Sequence, residues 1–311
     1  IMIKTGTASR GNSGMLTLSS ASSSSGEAGD ISLAVGTTKM GLGGALSIIS
    51  GRTNDETRSG GDIFLSSGLG GEKGGEINVE GGRGRSGSGG SVSLQGGGSA
   101  SSTSGSIKIL SARSMVSGDI AITTGTATNG EGGQIVLQSG DSGENGNSGA
   151  IYMKAGNSDT GPGGHVNIGA GSSKAASGGD LKLISGGSDF SIGGSISLVT
   201  PDTTGKSGEI SLVSGDSLAS QSGDVIIATG QTSVESSGGI DISVGKSSSS
   251  SGNILLRAGT SENGGGGHLE IFSGSSKVAR SGKIHLETQT ESDYTGDINL
   301  KTGKASVGRS G

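Results

Sequence analysis

The sequence predicts an all-β fold: a single-chain β-solenoid (β-helix) of about 21 coils of about 15 residues, with no capping elements. Three observations predict it. The chain is self-similar at a spacing of 13 to 17 residues, most often 15. Within nearly every unit, aliphatic residues alternate with polar ones, which is the period of a strand. Glycine and serine recur at fixed places between these alternations, where a chain has to turn.

Aligned on their Ile-x-Leu pairs, the coils start at residues 1, 15, 30, 45, 62, 76, 91, 106, 119, 134, 150, 165, 180, 195, 209, 224, 239, 253, 268, 283 and 297. The first coil lacks its first position. DISLAVGTTKMGLGG (30–44), DIAITTGTATNGEGG (119–133), EISLVSGDSLASQSG (209–223) and DINLKTGKASVGRSG (297–311) show the consensus x-[ILV]-x-[ILV]-x-small-G-x-[ST], then a variable stretch ending in Ser-Gly or Gly-Gly. A helical array needs sustained 3.6-residue periodicity and a repeat of about 34 residues or more. Neither is present.

Each position in the coil has a physical reading. Positions 2 and 4 are β-branched or aliphatic, as in Ile31 and Leu33, Ile120 and Ile122, Ile210 and Leu212, Ile298 and Leu300. Period-2 alternation puts them on one face, so they are expected to form the inward core ladder, with positions 1, 3 and 5 outward. Position 6 is small. Position 7 is Gly in 17 of the 21 coils, which suits a corner needing positive φ or close backbone approach. The exceptions are Ala21, Ala112, Pro201 and Gln289. Position 9, usually Ser or Thr, is expected to form a second small inward ladder. Length varies between positions 8 and 14, where an exposed loop absorbs it. One coil buries too little apolar surface to offset the entropy of ordering it, so only stacked coils would be stable. At a strand spacing of about 4.8 Å, the stack would be a rod roughly 100 Å long.

Composition narrows the function classes. With 68 Gly in 311 residues, 2% aromatics and no Cys or Trp, the chain lacks the bulk for a central core of the usual kind. Two prolines, Pro162 and Pro201, and no strict three-residue glycine period set collagen aside. The net charge of −5, without a basic cluster, argues against a nucleic-acid partner. No apolar run is long enough for a membrane span. The absence of Cys leaves the redox compartment unread. The chain opens in mid-pattern at Ile1-Met2-Ile3, and both ends look uncapped. The expectation is therefore one continuous array over 1–311, a segment of a longer chain whose ends are interfaces.

No catalytic constellation, cofactor motif or metal site is expected. His165 lies far along the array from His268 and His285; the latter two face outward on adjacent coils without an acidic third ligand, a poor zinc set. Gly205-Lys206-Ser207 and Gly245-Lys246-Ser247 resemble the end of a phosphate loop, but Thr200 and Ile240 replace its first glycine and no helix follows. Asp30, Asp62, Glu76, Asp119, Asp180, Glu209, Asp224 and Asp297 open their coils after the glycines, unlike calcium-binding nonapeptide repeats, where Asp lies inside the turn. They read as acidic gatekeepers on a solvated face. Thr5-Gly6-Thr7 and Thr124-Gly125-Thr126 fit an ice-binding Thr-x-Thr template that most coils break.

One outward feature points to association. Ile184, Val199 and Val213 hold position 5 in three successive coils, with Ile226 nearby at position 3. A contiguous outward apolar strip suits lateral contact with another solenoid or chain. Phe64, Val136, Tyr152, Leu255 and Phe272 are further outward apolar residues. No Asn-x-Ser/Thr sequon occurs, while the Ser-rich corners 22–25 and 247–251 are candidate carriers of O-linked surface glycans.

The unit SG-x-I-x-L-x-[ST]-G-x-[ST], as in SGEISLVSGDS and SGDVIIATGQT, resembles the long Gly/Ser tandem repeats of secreted algal and stramenopile proteins. Some of those are thought to build extracellular fibres such as the shafts of tubular mastigonemes. The resemblance implies an extracellular or cell-surface structural protein, a rigid rod within a filament or surface appendage. Its partners would be copies of itself or other filament subunits, end to end and laterally. The alternative is a binding module, a repeat adhesin or an ice-binding solenoid. An enzyme would need clustered carboxylates and aromatic subsites.

Overall fold

A computed structural model describes residues 1–143, 146–289 and 294–303. The last eight residues of the final coil, and parts of those starting at 134 and 283, lie outside the described residues. The chain divides into two units, Ile1–Met153 and Lys154–Gly311. Both are built from the same repeat.

Among the described residues there is no helix and no β-strand, which overturns the expected single-chain β-solenoid. The physical reason lies in where the backbone hydrogen bonds go. A solenoid pairs each coil with the next, so its bonds link residues 13 to 17 apart. Here ten of the eleven backbone–backbone bonds among the described residues close a repeat on itself and span only 7 to 10 residues. The eleventh, Arg58 N–H to the Asp55 carbonyl, is a tight turn. Among the described residues no ladder forms and no side chain is buried.

The repeat nevertheless has a regular local form. Each begins with a segment free of bends and turns. Exposure alternates along it: Ile135, Val136 and Leu137 are 52%, 75% and 67% exposed. A period of two is the signature of extended backbone. The segment leads into a loop carrying one bend, and the bend begins at position 10 in seventeen of the eighteen repeats where its start is described.

Two interactions shape the loop. The first is a neck: the N–H of the last glycine donates to the carbonyl of the position-7 glycine, as in Gly90 to Gly82 and Gly105 to Gly97, both 2.8 Å. Five such necks occur in each unit. Loop length does not alter the neck, since Gly61 to Gly51 and Gly75 to Gly68 are both 2.9 Å across loops of different size. Glycine is needed here for close approach and not for positive φ. A Cβ on Gly90 would lie 3.1 Å from the Gly82 nitrogen. The positive-φ glycines among the described residues are Gly11, Gly41 and Gly130, all at the end of a bend.

The second interaction explains position 9. Its hydroxyl does not form an inward ladder but accepts a backbone N–H two or three residues ahead, turning the loop. Ser23 accepts from Gly26 at 3.0 Å, Ser158 from Gly161 at 2.9 Å, Ser188 from Ser191 at 2.9 Å and Ser276 from Ala279 at 2.9 Å.

Position 6 separates the closed necks from most of the open ones. All ten hydrogen-bonded necks have Ser, Ala or Gly there, followed by Gly at position 7. Where position 6 is β-branched, as at Val35, Thr124, Thr200 and Val244, the side chain stands against the terminal glycine and the bond is absent. A Cβ on Gly44 would fall 2.7 Å from Val35 Cγ1, and one on Gly252 would fall 3.2 Å from Val244 Cγ1. One extra methyl props the neck open. Ala21, Ala112 and Pro201 at position 7 also go without the bond. Ser214-Gly215 meets both conditions and lacks it, for no reason visible in the structure.

Exchange of the neck amides checks this rule. Gly96→Val should accelerate hydrogen exchange at the Gly105 amide by about two- to twelvefold, the equivalent of a bond worth about 0.5–1.5 kcal/mol. Val35→Ala should slow exchange at the Gly44 amide by a similar factor. Unchanged rates in both variants would show that position 6 does not control the neck.

Candidate functional site

The extended segments bring no titratable or nucleophilic side chains into a common pocket; what they present is apolar surface and open backbone. Ile31, Ile120, Ile210 and Ile298 at position 2 are 49–55% exposed. Their position-4 companions Leu33, Ile122, Leu212 and Leu300 are exposed further. The strip residues Ile184, Val199, Val213 and Ile226 are 77–84% exposed on their separate segments. Thus the face bearing position 2 is half-shielded and the opposite face stands open, with no layer covering either.

Between one neck and the next, the backbone amides and carbonyls make no backbone–backbone hydrogen bond among the described residues. Side-chain hydrogen bonds concentrate in the loops, where the position-9 hydroxyls act. This open backbone is the largest chemical feature of the chain. Composition could not reveal it, because the same aliphatic alternation serves paired and unpaired strands. The neck and the hydroxyl turn had a sequence signal in retrospect: small residues at position 6 and Ser/Thr at position 9, followed by a short polar stretch.

The remaining candidates are local. His285 Nε2 lies 2.8 Å from Glu287 Oε2, two residues along one segment and so on one face. No group of three His, Cys, Asp or Glu side chains suited to a metal exists among the described residues. The loop of the repeat starting at Asp224 holds an open, largely polar dent lined by Thr229, Gly230, Gln231, Thr232, Glu235 and Ser237. Thr232 Oγ1 is already engaged there by the Glu235 N–H at 3.3 Å. Among the described residues, no helix is long and apolar enough to cross a membrane.

The longest loop, in the 17-residue repeat starting at Ala45, has its own acidic turn. The Asp55 carboxylate accepts the Thr57 hydroxyl at 2.7 Å and the Thr57 N–H at 2.9 Å. Thr53 Oγ1 accepts the Asp55 N–H at 3.1 Å, and Arg58 Nε stands 3.9 Å from Asp55 Oδ2. The Thr57 hydroxyl, and after it the Thr57 N–H, hold the Asp55 carboxyl below its ordinary value.

No protein-family model, curated protein or solved structure matches the chain.

The Asp55 turn gives a pH prediction with a definite sign. Its folded value lies below the ordinary one, so its contribution is complete above about pH 4 and fades as pH falls through the lowered value. Carboxyl NMR titration should find Asp55 below the ordinary aspartate value, and Thr57→Val should bring it back toward that value. An Asp55 that titrates at the ordinary value in the unsubstituted chain would dismiss the turn as a charge-holding device.

Proposed function

We propose that the chain is a structural protein, a non-catalytic building block of an extracellular filament or surface appendage that associates with copies of itself or other filament subunits. The observation that carries this reading is the recurrence of one unit along the chain, an extended apolar segment followed by a loop, with no buried core among the described residues of either part. Such a chain has apolar and backbone surface in excess of what it satisfies alone, and that surface favours association. The shared pattern of the units means that association, once begun, can repeat from one unit to the next. Placement outside the cell rests on the resemblance of the SG-x-I-x-L unit to secreted tandem repeats. The Ser-rich loops and the small net charge suit a solvated exterior.

Electron microscopy of the purified chain over a concentration series tests the proposal. Unbranched filaments that appear as concentration rises are the expected result. Dispersed particles at every concentration, under conditions matching the native source, would remove the structural reading.

A further inference from the structure

Resting on the structural reading above, we infer the partner and register of association: each extended segment pairs by backbone hydrogen bonds with a second copy of this chain, parallel and displaced by one whole repeat. Three observations carry this. The first is the open backbone. Extended segments whose N–H and C=O groups have no backbone partner are the template to which another extended chain pairs. A parallel copy moved by a whole repeat sets equivalent positions together, so the position-2 and position-4 aliphatics meet their own kind.

The second observation concerns spacing. Repeats differ in length, so a displaced copy faces loops of unequal size. Where the neck is closed, it removes the conflict. Gly51–Gly61 and Gly68–Gly75 enclose different numbers of residues yet join at the same 2.9 Å. The extra length stays in the loop and does not shift the next segment.

Charge selects the displacement. Without displacement every charged residue of a segment meets its own copy, and like charges directly opposite each other are destabilising. Eight repeats open on an acid, so eight acid–acid contacts would form at position 1 alone. After a one-repeat displacement only Asp62 with Glu76 and Glu209 with Asp224 remain. Opposite charges also come together: Lys283 with Asp297 at position 1, and Glu287 with Lys301 at position 5. Glu270 meets His285 at position 3. A displaced contact of this kind is heterologous and does not close on itself, so it propagates into a filament.

The chain contains no cysteine, which makes cross-linking clean. Ser32 and Ser47 both hold position 3, in adjacent repeats. Displaced by one repeat, residue 32 of one copy lies beside residue 47 of the next, at the strand spacing of about 4.8 Å, within disulfide reach. Chains carrying Ser32→Cys are mixed with chains carrying Ser47→Cys and mildly oxidised. Disulfide between unlike chains, at least about tenfold over either variant alone (a preference of about 1.4 kcal/mol), is the expected result. Predominant linkage between like chains would overturn the displacement. A bridge within one chain, formed by the double variant at high dilution, would overturn pairing between copies. Microscopy of the same mixture separates this inference from the filament reading. Filaments without unlike-chain linkage keep that reading and reject the pairing, whereas linked chains without filaments do the reverse.

Discussion

The hydrogen bond from the terminal glycine N–H to the position-7 carbonyl organises this chain, because it converts a continuous polar sequence into alternating segments and closed loops. It brings two backbones within about 3 Å of each other, and that approach leaves little room for a side chain at the terminal glycine, where a Cβ on Gly105 would lie 3.1 Å from the Gly97 nitrogen. The glycine content is thus partly a packing requirement. At Gly81 and Gly96 the demand extends to position 6, where an added Cβ would overlap the carbonyls of Gly90 and Gly105. The position-9 hydroxyl then turns the enclosed loop without help from the rest of the protein.

Local closure has a global cost. Every backbone bond spent inside a repeat is unavailable for pairing between repeats, and the segments between necks are left with unpaired donors and acceptors. In water such groups are solvated, so the single chain tolerates them. Their presence in a periodic array, next to half-shielded aliphatics, makes the chain better suited to satisfying itself in company than alone. The structural role proposed above rests on that imbalance and not on any single residue.

The necks also divide into two kinds. Small residues at position 6 permit the bond, and Val35, Thr124, Thr200 or Val244 hold the backbones apart with one methyl group. In the repeat starting at Asp119, the Thr124 hydroxyl bridges part of the gap, standing 3.4 Å from the Gly133 carbonyl. Closed and propped loops alternate irregularly along the chain, so loop rigidity is distributed and not concentrated at one hinge.

Much of the local plan was legible in residues alone. The alternation at Asp30-Ile31-Ser32-Leu33 specified extended backbone, since only a period of two separates those faces, and the bend falls at position 10 because the polar stretch after Ser or Thr lies there. The eight acids that open repeats stand exposed, as their place outside the aliphatic alternation indicated. What the sequence could not decide was the partner of each backbone group. An Ile-x-Leu segment presents the same side chains whether its amides pair with the next repeat, with another chain or with water. Residues thus determined the repeat, its turns and its apolar face, whereas only the tertiary structure decided that the backbone closes on itself in ten of the repeats. The reason is physical: side-chain pattern fixes local conformation, but hydrogen-bond pairing depends on which backbones approach closely, and a glycine neck seven to ten residues apart closes a shorter loop than a contact one repeat away.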